Sequence, residues 1–341
     1  MKANERAPTT ATRHTSAKGT ARAADSMTGA PARPWRRRAV TAALPVAALL
    51  GLAIFAHAQP AFLGLENLLG IVRQVALVGI MASAMTFVIM TGGVDLSIGP
   101  VLALSGLVCV LALDAGSGVL PALALSLGLG AAIGLCNGAL VAMCGLPPII
   151  VTLATLSIVR GAALLVGGPA LYPVRGQPAF TFIGTGFVGG LPVSVWLFAA
   201  VVAALALAQR RTPLGLLVAA IGDNERATWL NGHRTRLIKL SLYGLSGLCA
   251  AMAGVVLSSQ VHTGAATYGE FGTELDVIAA VVLGGTRLSG GSGSVVRTAL
   301  GALFLGALND AMNIADVPLD IQLIAKGLII AFALALAKAL P

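Results

Sequence analysis

Charge is what this chain has least of. Only 10% of its 341 residues are Asp, Glu, Lys or Arg, against about 25% in a soluble globular domain. Aromatic residues make up 5%, while 57% of the chain is hydrophobic and mean hydropathy is +0.91. Too little polar surface remains to coat such a chain in water, so the bilayer is its expected solvent. Cysteine is equally sparse: Cys109, Cys136, Cys144 and Cys249 all sit in apolar runs without a Cys-x-x-Cys pair. They read as small buried hydrophobes and exclude a thiol-based metal or redox centre. The four histidines form no His-x-x-x-His pair, and no stretch reads G-x-x-x-x-G-K-[ST]. Metal binding and a phosphate-cradling P-loop are therefore not expected. Gly290-Gly291-Ser292-Gly293 lacks the lysine that would hold phosphate. Paired carboxylates and nucleophile constellations are missing as well.

The formal net charge of +9 is unevenly placed. Residues 1–38 hold nine Lys/Arg against Glu5 and Asp25, which leaves 13 basic and 11 acidic residues over the remainder. The excess belongs to a tail, so a nucleic-acid surface is not expected. Polar composition without apolar period makes 1–38 a disordered basic tail on the cytoplasmic side. Residues 39–341 form the membrane domain. Spanning the hydrocarbon core takes about 20 apolar residues. Turn signals and charges then cut ten candidate spans, roughly 39–58, 69–91, 98–114, 119–143, 149–168, 193–209, 239–261, 275–285, 297–314 and 319–338. The fold class is an all-α polytopic membrane protein with short or broken helices. The first span ends on Ala56-His57-Ala58, which mimics a signal-peptidase site, but its run is too long for a signal h-region. An uncleaved anchor is the expectation. The eighth is short and glycine-bounded, hence a half-helix candidate.

Lys and Arg set the orientation. With the N-terminus inside, the inner segments carry the tail, then Arg210, Arg211, Arg226, Arg234, Arg236 and Lys239, and later Arg287, Arg297 and Lys338. The largest outer loop, 169–192, holds only Arg175. Both termini face the cytoplasm in this reading, and 210–238 is the main inner loop. Gly130, Gly134 and Gly138, like Ser246, Ala250 and Gly254, recur every fourth residue, the spacing that lets helices pack closely. Gly92-Gly93-Val94-Asp95-Leu96-Ser97-Ile98-Gly99 matches Gly284-Gly285-Thr286-Arg287-Leu288-Ser289-Gly290-Gly291 in part. Broken helices at corresponding places mark pathways in repeat-built transporters, although tight turns alone also produce such a recurrence.

Within 210–238, Asp223 or Asn224 is a good N-cap and Gly232 a good stop. A helix of about two turns fits between them, with Ala227 and Leu230 sharing a face. An apolar face with basic flanks suits docking into a partner's groove; anchoring to anionic lipid is the other reading of the same residues. Ionisable groups in spans are functional candidates because burying charge in lipid is costly. Asp95 and Asp276 qualify, Asp310 and Lys326 are a possible pair, and Asn137 faces either a pathway or a neighbouring helix.

Four stretches together, Met90–Gly99, Leu146–Leu153 with Arg160-Gly161, Gly222–Glu225 to Asn231-Gly232, and Glu274–Gly291, resemble the permease subunits of ribose/xylose/galactose-type ATP-binding-cassette importers. These belong to the branched-chain-amino-acid/sugar permease superfamily. The likeness runs from about residue 60 to the C-terminus. It implies a bacterial inner-membrane permease with a second permease copy, a cytoplasmic ATPase subunit that carries ATP and Mg, and an extracytoplasmic sugar-binding protein. This chain would bind no cofactor and catalyse nothing itself. ATPase coupling falls by resemblance on Gly222, Asn224, Glu225, Ala227 and Gly232. Pathway or motif roles fall on Gly92, Gly93, Asp95, Ser97, Asn137, Asp276, Gly284 and Gly285. Arg160 and Arg175 are candidates for docking the binding protein. Leu216, Arg226, Asn231 and His233 depart from the family's usual residues. A monosaccharide is the expected cargo, with a nucleoside, a signalling furanose or an amino acid as variants, and an ATP-independent transporter or channel as the reading from another class.

Overall fold

The computed structural model describes the chain from Gln59 to Ala339 apart from Phe271, together with Ala53 and residues 55–57. The tail and nearly all of the first apolar run lie outside the described residues. After a 3-10 turn at Pro60–Leu63 come α1 (Leu65–Met90), α2 (Ile98–Asp114), α3 (Val119–Ala142) and α4 (Pro148–Gly167). A connecting segment follows, with β1 (Leu171–Pro173), α5 (Pro178–Thr185), β2 (Phe187–Val188) and β3 (Leu191–Pro192). The chain continues through α6 (Val193–Arg211), α7 (Pro213–Leu230), α8 (Thr235–Gln260), β4 (Thr263–Ala265), α9 (Thr273–Leu283), α10 (Val295–Ile314) and α11 (Leu319–Ala339).

The protein is thus mostly helical. Among the described residues four short strands, three of them within 169–192 and the fourth at Thr263–Ala265, depart from the all-α expectation. β1 pairs antiparallel with β4, Leu171 opposite Ala265, and β2 pairs with β3 across Gly189 and Gly190. Both of those glycines have positive φ, as a two-residue hairpin turn requires. Pro148 opens α4 in its first turn, where the missing N–H is no loss.

Among the described residues six helices (α1, α3, α4, α6, α8 and α10) are long and apolar enough to cross a membrane, against ten candidate spans read from the sequence, of which the first lies almost wholly outside the described residues. At 1.5 Å per residue α2 is about 25 Å long and α9 about 16 Å, both short of a core of about 30 Å. The half-helix expected at 275–285 is therefore present as α9, and α2 is a second short segment.

The core is built on α1 and α8. Between Val75 and Met90 every residue of α1 is buried except the half-buried Val78. The small-residue stripes explain the tight packing. A methyl group at Gly130 would lie 2.5 Å from the Gly247 carbonyl oxygen, and one at Gly134 would lie 2.2 Å from that of Tyr243. In the Ser246/Ala250/Gly254 stripe, Gly254 packs against α2 instead, where a methyl group would lie 2.1 Å from the Leu102 carbonyl oxygen. Thr86 Oγ1 donates to Thr298 Oγ1 (2.8 Å) and ties α1 to α10 inside the core. Only two cysteines follow the buried expectation: Cys109 and Cys249 are buried, while Cys136 on α3 and Cys144 just beyond it are exposed. Those two lie on and beside the outward face of α3, which also exposes Leu125, Leu135 and Leu140.

Candidate functional site

The segment 210–238 is almost wholly helical, more so than a loop with one short helix. Thr212 is extended, its Oγ1 accepts from Leu214 N (3.2 Å), and Pro213 sits in the first turn. This Thr-Pro start launches a helix that the sequence reading missed, although its signal was there. At Asn224 the backbone leaves helical geometry (φ −159°, ψ 94°), so α7 is two helices joined at a kink. Asn224 Oδ1 accepts from Ala227 N at 2.9 Å and caps the second piece. Gly232, at φ 85°, ends it. Of the two cap candidates, then, the structure uses Asn224. Glu225 opens the short helix and pairs with Lys239 in the first turns of α8. Ala227, Trp229 and Leu230 are exposed. An apolar tip is thus held out on a capped, pinned elbow.

The base of that elbow sits where two other family-like stretches meet. Gly291 N donates to the Met90 carbonyl oxygen at 2.9 Å. Gly222 lies so close above them that a methyl group there would be 2.0 Å from Met90 O and 2.3 Å from Gly291 N. Asp223, the unused cap, lays its carboxylate against Gly291. Gln209 at the end of α6 completes the joint. Its amide nitrogen donates to Gly293 O (3.0 Å), and its Oε1 accepts from Val295 N (3.1 Å). No sequence motif pointed to Gln209; its role depends on tertiary placement alone.

The paired Gly-Gly motifs have the same local task, in a shifted register. Gly92 N donates to Ile89 O and Gly93 N to Val88 O; Gly285 N donates to Val282 O and Thr286 N to Val281 O. Gly92 and Gly285, at φ 79° and 77°, are the equivalent left-handed residues that end α1 and α9. Gly92 therefore corresponds to Gly285 and not to Gly284. Gly284 matters for packing: a methyl group there would lie 2.6 Å from Thr298 N in α10. A shared helix stop accounts for the recurrence. Gly93 is held against the Tyr243 ring, where a methyl group would lie 2.5 Å from the hydroxyl oxygen.

Beyond Gly93 the chain re-enters the bundle and places Asp95, fully buried, beside the middle of α8. Its Oδ1 accepts from Ser97 N (3.1 Å) and Ser97 Oγ (2.6 Å), and its Oδ2 accepts from Ser246 Oγ (2.7 Å). Asn137 Nδ2 donates to Ser97 Oγ (2.9 Å), and Thr155 Oγ1 donates to Asn137 Oδ1 (2.6 Å). This chain of polar groups joins α3, α4, α8 and the start of α2. Every link is hydrogen-bonded, the condition under which buried polar groups are tolerable. Asn137 bridges helices rather than standing free. Ser246 belongs to the network, although its spacing marked it only as a small packing residue.

The starts of the two short helices face one another. Glu274 in the first turn of α9 reaches Gly99 in the first turn of α2, where a methyl group would lie 2.7 Å from its Oε2. Arg160 holds the connecting turn. Its guanidinium donates to Ala266 O (2.7 Å), Tyr268 O (2.9 Å) and Gly269 O (3.1 Å). Those donors are engaged inside the chain, whereas Arg175, just beyond β1, is exposed. Lys326 pairs with Asp276 at 3.1 Å and not with Asp310, whose carboxylate accepts from Asn67 Nδ2 at 2.7 Å. Arg73 lies with its guanidinium carbon 5.3 Å from the centre of the Phe187 ring, a cation–π contact. Among the described residues no three His, Cys, Asp or Glu side chains gather to hold a metal.

Comparison with known proteins follows the same residues. The family model described as "Branched-chain amino acid transport system / permease component" matches residues 67–334. The ribose import permease protein of Bacillus subtilis is 42% identical over 284 residues, covering 82% of this chain and 86% of that protein. That of Escherichia coli K12 is 38% identical over 291 residues, covering 84% and 90%. The galactofuranose transporter permease protein of Escherichia coli K12 is 34% identical over 260 residues, covering 76% of each. No solved structure matches the chain.

Proposed function

The chain belongs to the branched-chain amino acid transport system permease component family, and from that premise we propose that it is the membrane-spanning permease of an ATP-binding-cassette importer for a monosaccharide. The relatives named for ribose and galactofuranose support a furanose- or pyranose-sized polyol as cargo. In this reading the chain is a multi-pass protein of the bacterial cytoplasmic membrane, with both ends, the basic tail and the 210–238 elbow in the cytoplasm. A second permease copy completes the pathway. A separate ATPase subunit binds ATP and Mg and receives the exposed tip at Ala227, Trp229 and Leu230. A binding protein delivers sugar to the opposite face, where exposed Arg175 is available to meet an acidic surface.

One observation carries the mechanism: the kinked elbow is seated, through Gly222, on the bond between Met90 and Gly291. Movement of the tip by a closing ATPase therefore acts at once on the end of α1 and on the segment between α9 and α10. Packing this tight transmits displacement rather than absorbing it. Asp95, Ser97 and Asn137 carry the shift onward into α2, α3 and α8 through their hydrogen bonds. The test is reconstitution. Proteoliposomes holding the permease, its ATPase and the binding protein are expected to accumulate labelled ribose, arabinose or galactose only with ATP on the ATPase side. Accumulation by the permease alone, driven by a solute or proton gradient, would refute the ATP-driven reading.

A further inference from the structure

Most of the outward surface of the bundle is what lipid demands. The exposed positions on α4 include Ile149, Ile150, Ile158 and Leu165, and those on α6 include Trp196 and Leu207. One face breaks the pattern. Gln74 is exposed on α1, about 14 Å along the helix from its first residue. Across from it Asn309 of α10 keeps its side-chain oxygen away from water and without a hydrogen-bond partner. Gln74, Asn309 and Asp276 line one cavity of about 50 Å³, walled by Val75, Val78 and Leu305. Asp276 reaches Lys326 on α11, and the Asn67–Asp310 and Asn313–Gln322 bonds extend the same polar strip toward the start of α1 and the end of α10. On a surface otherwise apolar, an exposed amide would have no partner in hydrocarbon, and a partly exposed ion pair there is costly. Such a face meets water or polar solute, not acyl chains.

We propose that this strip between α1, α9, α10 and α11 is a hydrated sugar-binding lane, with Gln74 and Asn309 as the groups that hydrogen-bond the sugar's hydroxyls. The chemistry selects an uncharged polyol. Each amide offers both donors and an acceptor, the set that adjacent hydroxyls need. The one charged group that lines the cavity, Asp276, is paired with Lys326, so neither an ion nor an amino acid zwitterion finds an unpaired counter-charge there; Asp310 lies farther along the strip, on Asn67. Val75, Val78 and Leu305 present the apolar wall that a sugar's C–H face requires. The cavity admits a few waters and no sugar ring, so the sugar is held when α1 and α10 part. They now close at Val75 and Gly306, where a methyl group on the glycine would lie 2.0 Å from Val75 Cγ2.

The inference rests on the sugar-import reading above, and its test separates the two. In a background with Cys136→Ala and Cys144→Ala, single cysteines are placed at Gln74, Asn309 and the exposed mid-helix Ile158 of the apolar α4 face. The full complex is then exposed to a membrane-impermeant cationic methanethiosulfonate during ATP turnover. Cysteines at 74 and 309 are expected to react at least tenfold faster than the one at 158. An equimolar mixture of ribose, arabinose and galactose, with the binding protein, is expected to slow them severalfold. Reaction as slow as at 158 would show a dry, lipid-facing strip and overturn the proposal. Fast reaction without protection, in a complex that imports one of these sugars, would overturn the ligand assignment. A parent complex that imports none of them would instead defeat the import reading. As a second readout, Asn309→Leu is expected to raise the KM for uptake at least tenfold and Asn309→Gln to restore most of it. Equal KM values in both would count against the lane.

Discussion

Replacing Gly222 by alanine places one methyl group into the joint that the mechanism depends on. The added carbon would lie 2.0 Å from Met90 O and 2.3 Å from Gly291 N, whereas ordinary contact begins at 3.4 Å. The joint must therefore open by 1.4 Å on one side (3.4 minus 2.0) and 1.1 Å on the other (3.4 minus 2.3). Both obstructing atoms are backbone, so no side-chain rotation relieves the overlap. An opening of that size breaks the 2.9 Å bond from Gly291 N to Met90 O. Overpacking costs about 1–3 kcal/mol and a lost hydrogen bond about 0.5–1.5 kcal/mol. The sum, about 2–4 kcal/mol, exceeds what the elbow gains from its cap, so the elbow is expected to shift while the bundle persists. The assay measures sugar uptake and ATP hydrolysis together in proteoliposomes. Uptake per ATP is expected to fall at least tenfold. Gly128→Ala is the control, because nothing lies within 4 Å of a methyl group there. A Gly222→Ala protein with parental thermal stability and parental uptake per ATP would refute the reasoning.

Other substitutions probe neighbouring links. Asn224→Ala removes the cap on the short helix and is expected to cost about 1 kcal/mol; hydrogen exchange across 225–230 should quicken, and Asn224→Asp should not have this effect. Glu225→Lys sets like charges against Lys239, so sugar-stimulated ATP hydrolysis should collapse while the protein still inserts into membranes. Asn137→Leu leaves Ser97 and Thr155 without their partner; a loss of about 1–3 kcal/mol should appear as a lower melting temperature in detergent. Lys326→Met leaves Asp276 unpaired, and the double change with Asp276→Asn should recover most of the lost stability.

Much of the helical framework was legible because lipid imposes a simple rule. Apolar runs bounded by Pro147-Pro148, by the small-residue turn Gly116-Ser117-Gly118, and by charges place nine described helices within a few residues of their observed ends. The cap and stop of the short elbow helix were equally local, since Asn224 and Gly232 act on neighbours three residues away or fewer. What remained hidden was relational. Asp95 and Ser246 are 151 positions apart, and nothing in either flank specifies the other. Lys326 had two carboxylates to choose from, and the packing of α11 against α9 decided for Asp276. The first part of α7 was obscured for a different reason. Its residues sit between charged clusters, so composition read as loop although Thr212-Pro213 is a sound helix start. The Gly-Gly recurrence was visible, but its register was set by hydrogen bonds that only the folded turn reveals.

The most direct measurement of the central claim is where the elbow tip goes. A photoreactive amino acid at Leu230, exposed at the tip, and another at Leu120, exposed at the start of α3, would be illuminated in the assembled complex under turnover. Cross-linking of position 230 to the ATPase subunit, with none from position 120, is the predicted result. Capture of the extracytoplasmic binding protein by position 230, or of the ATPase by position 120, would contradict it.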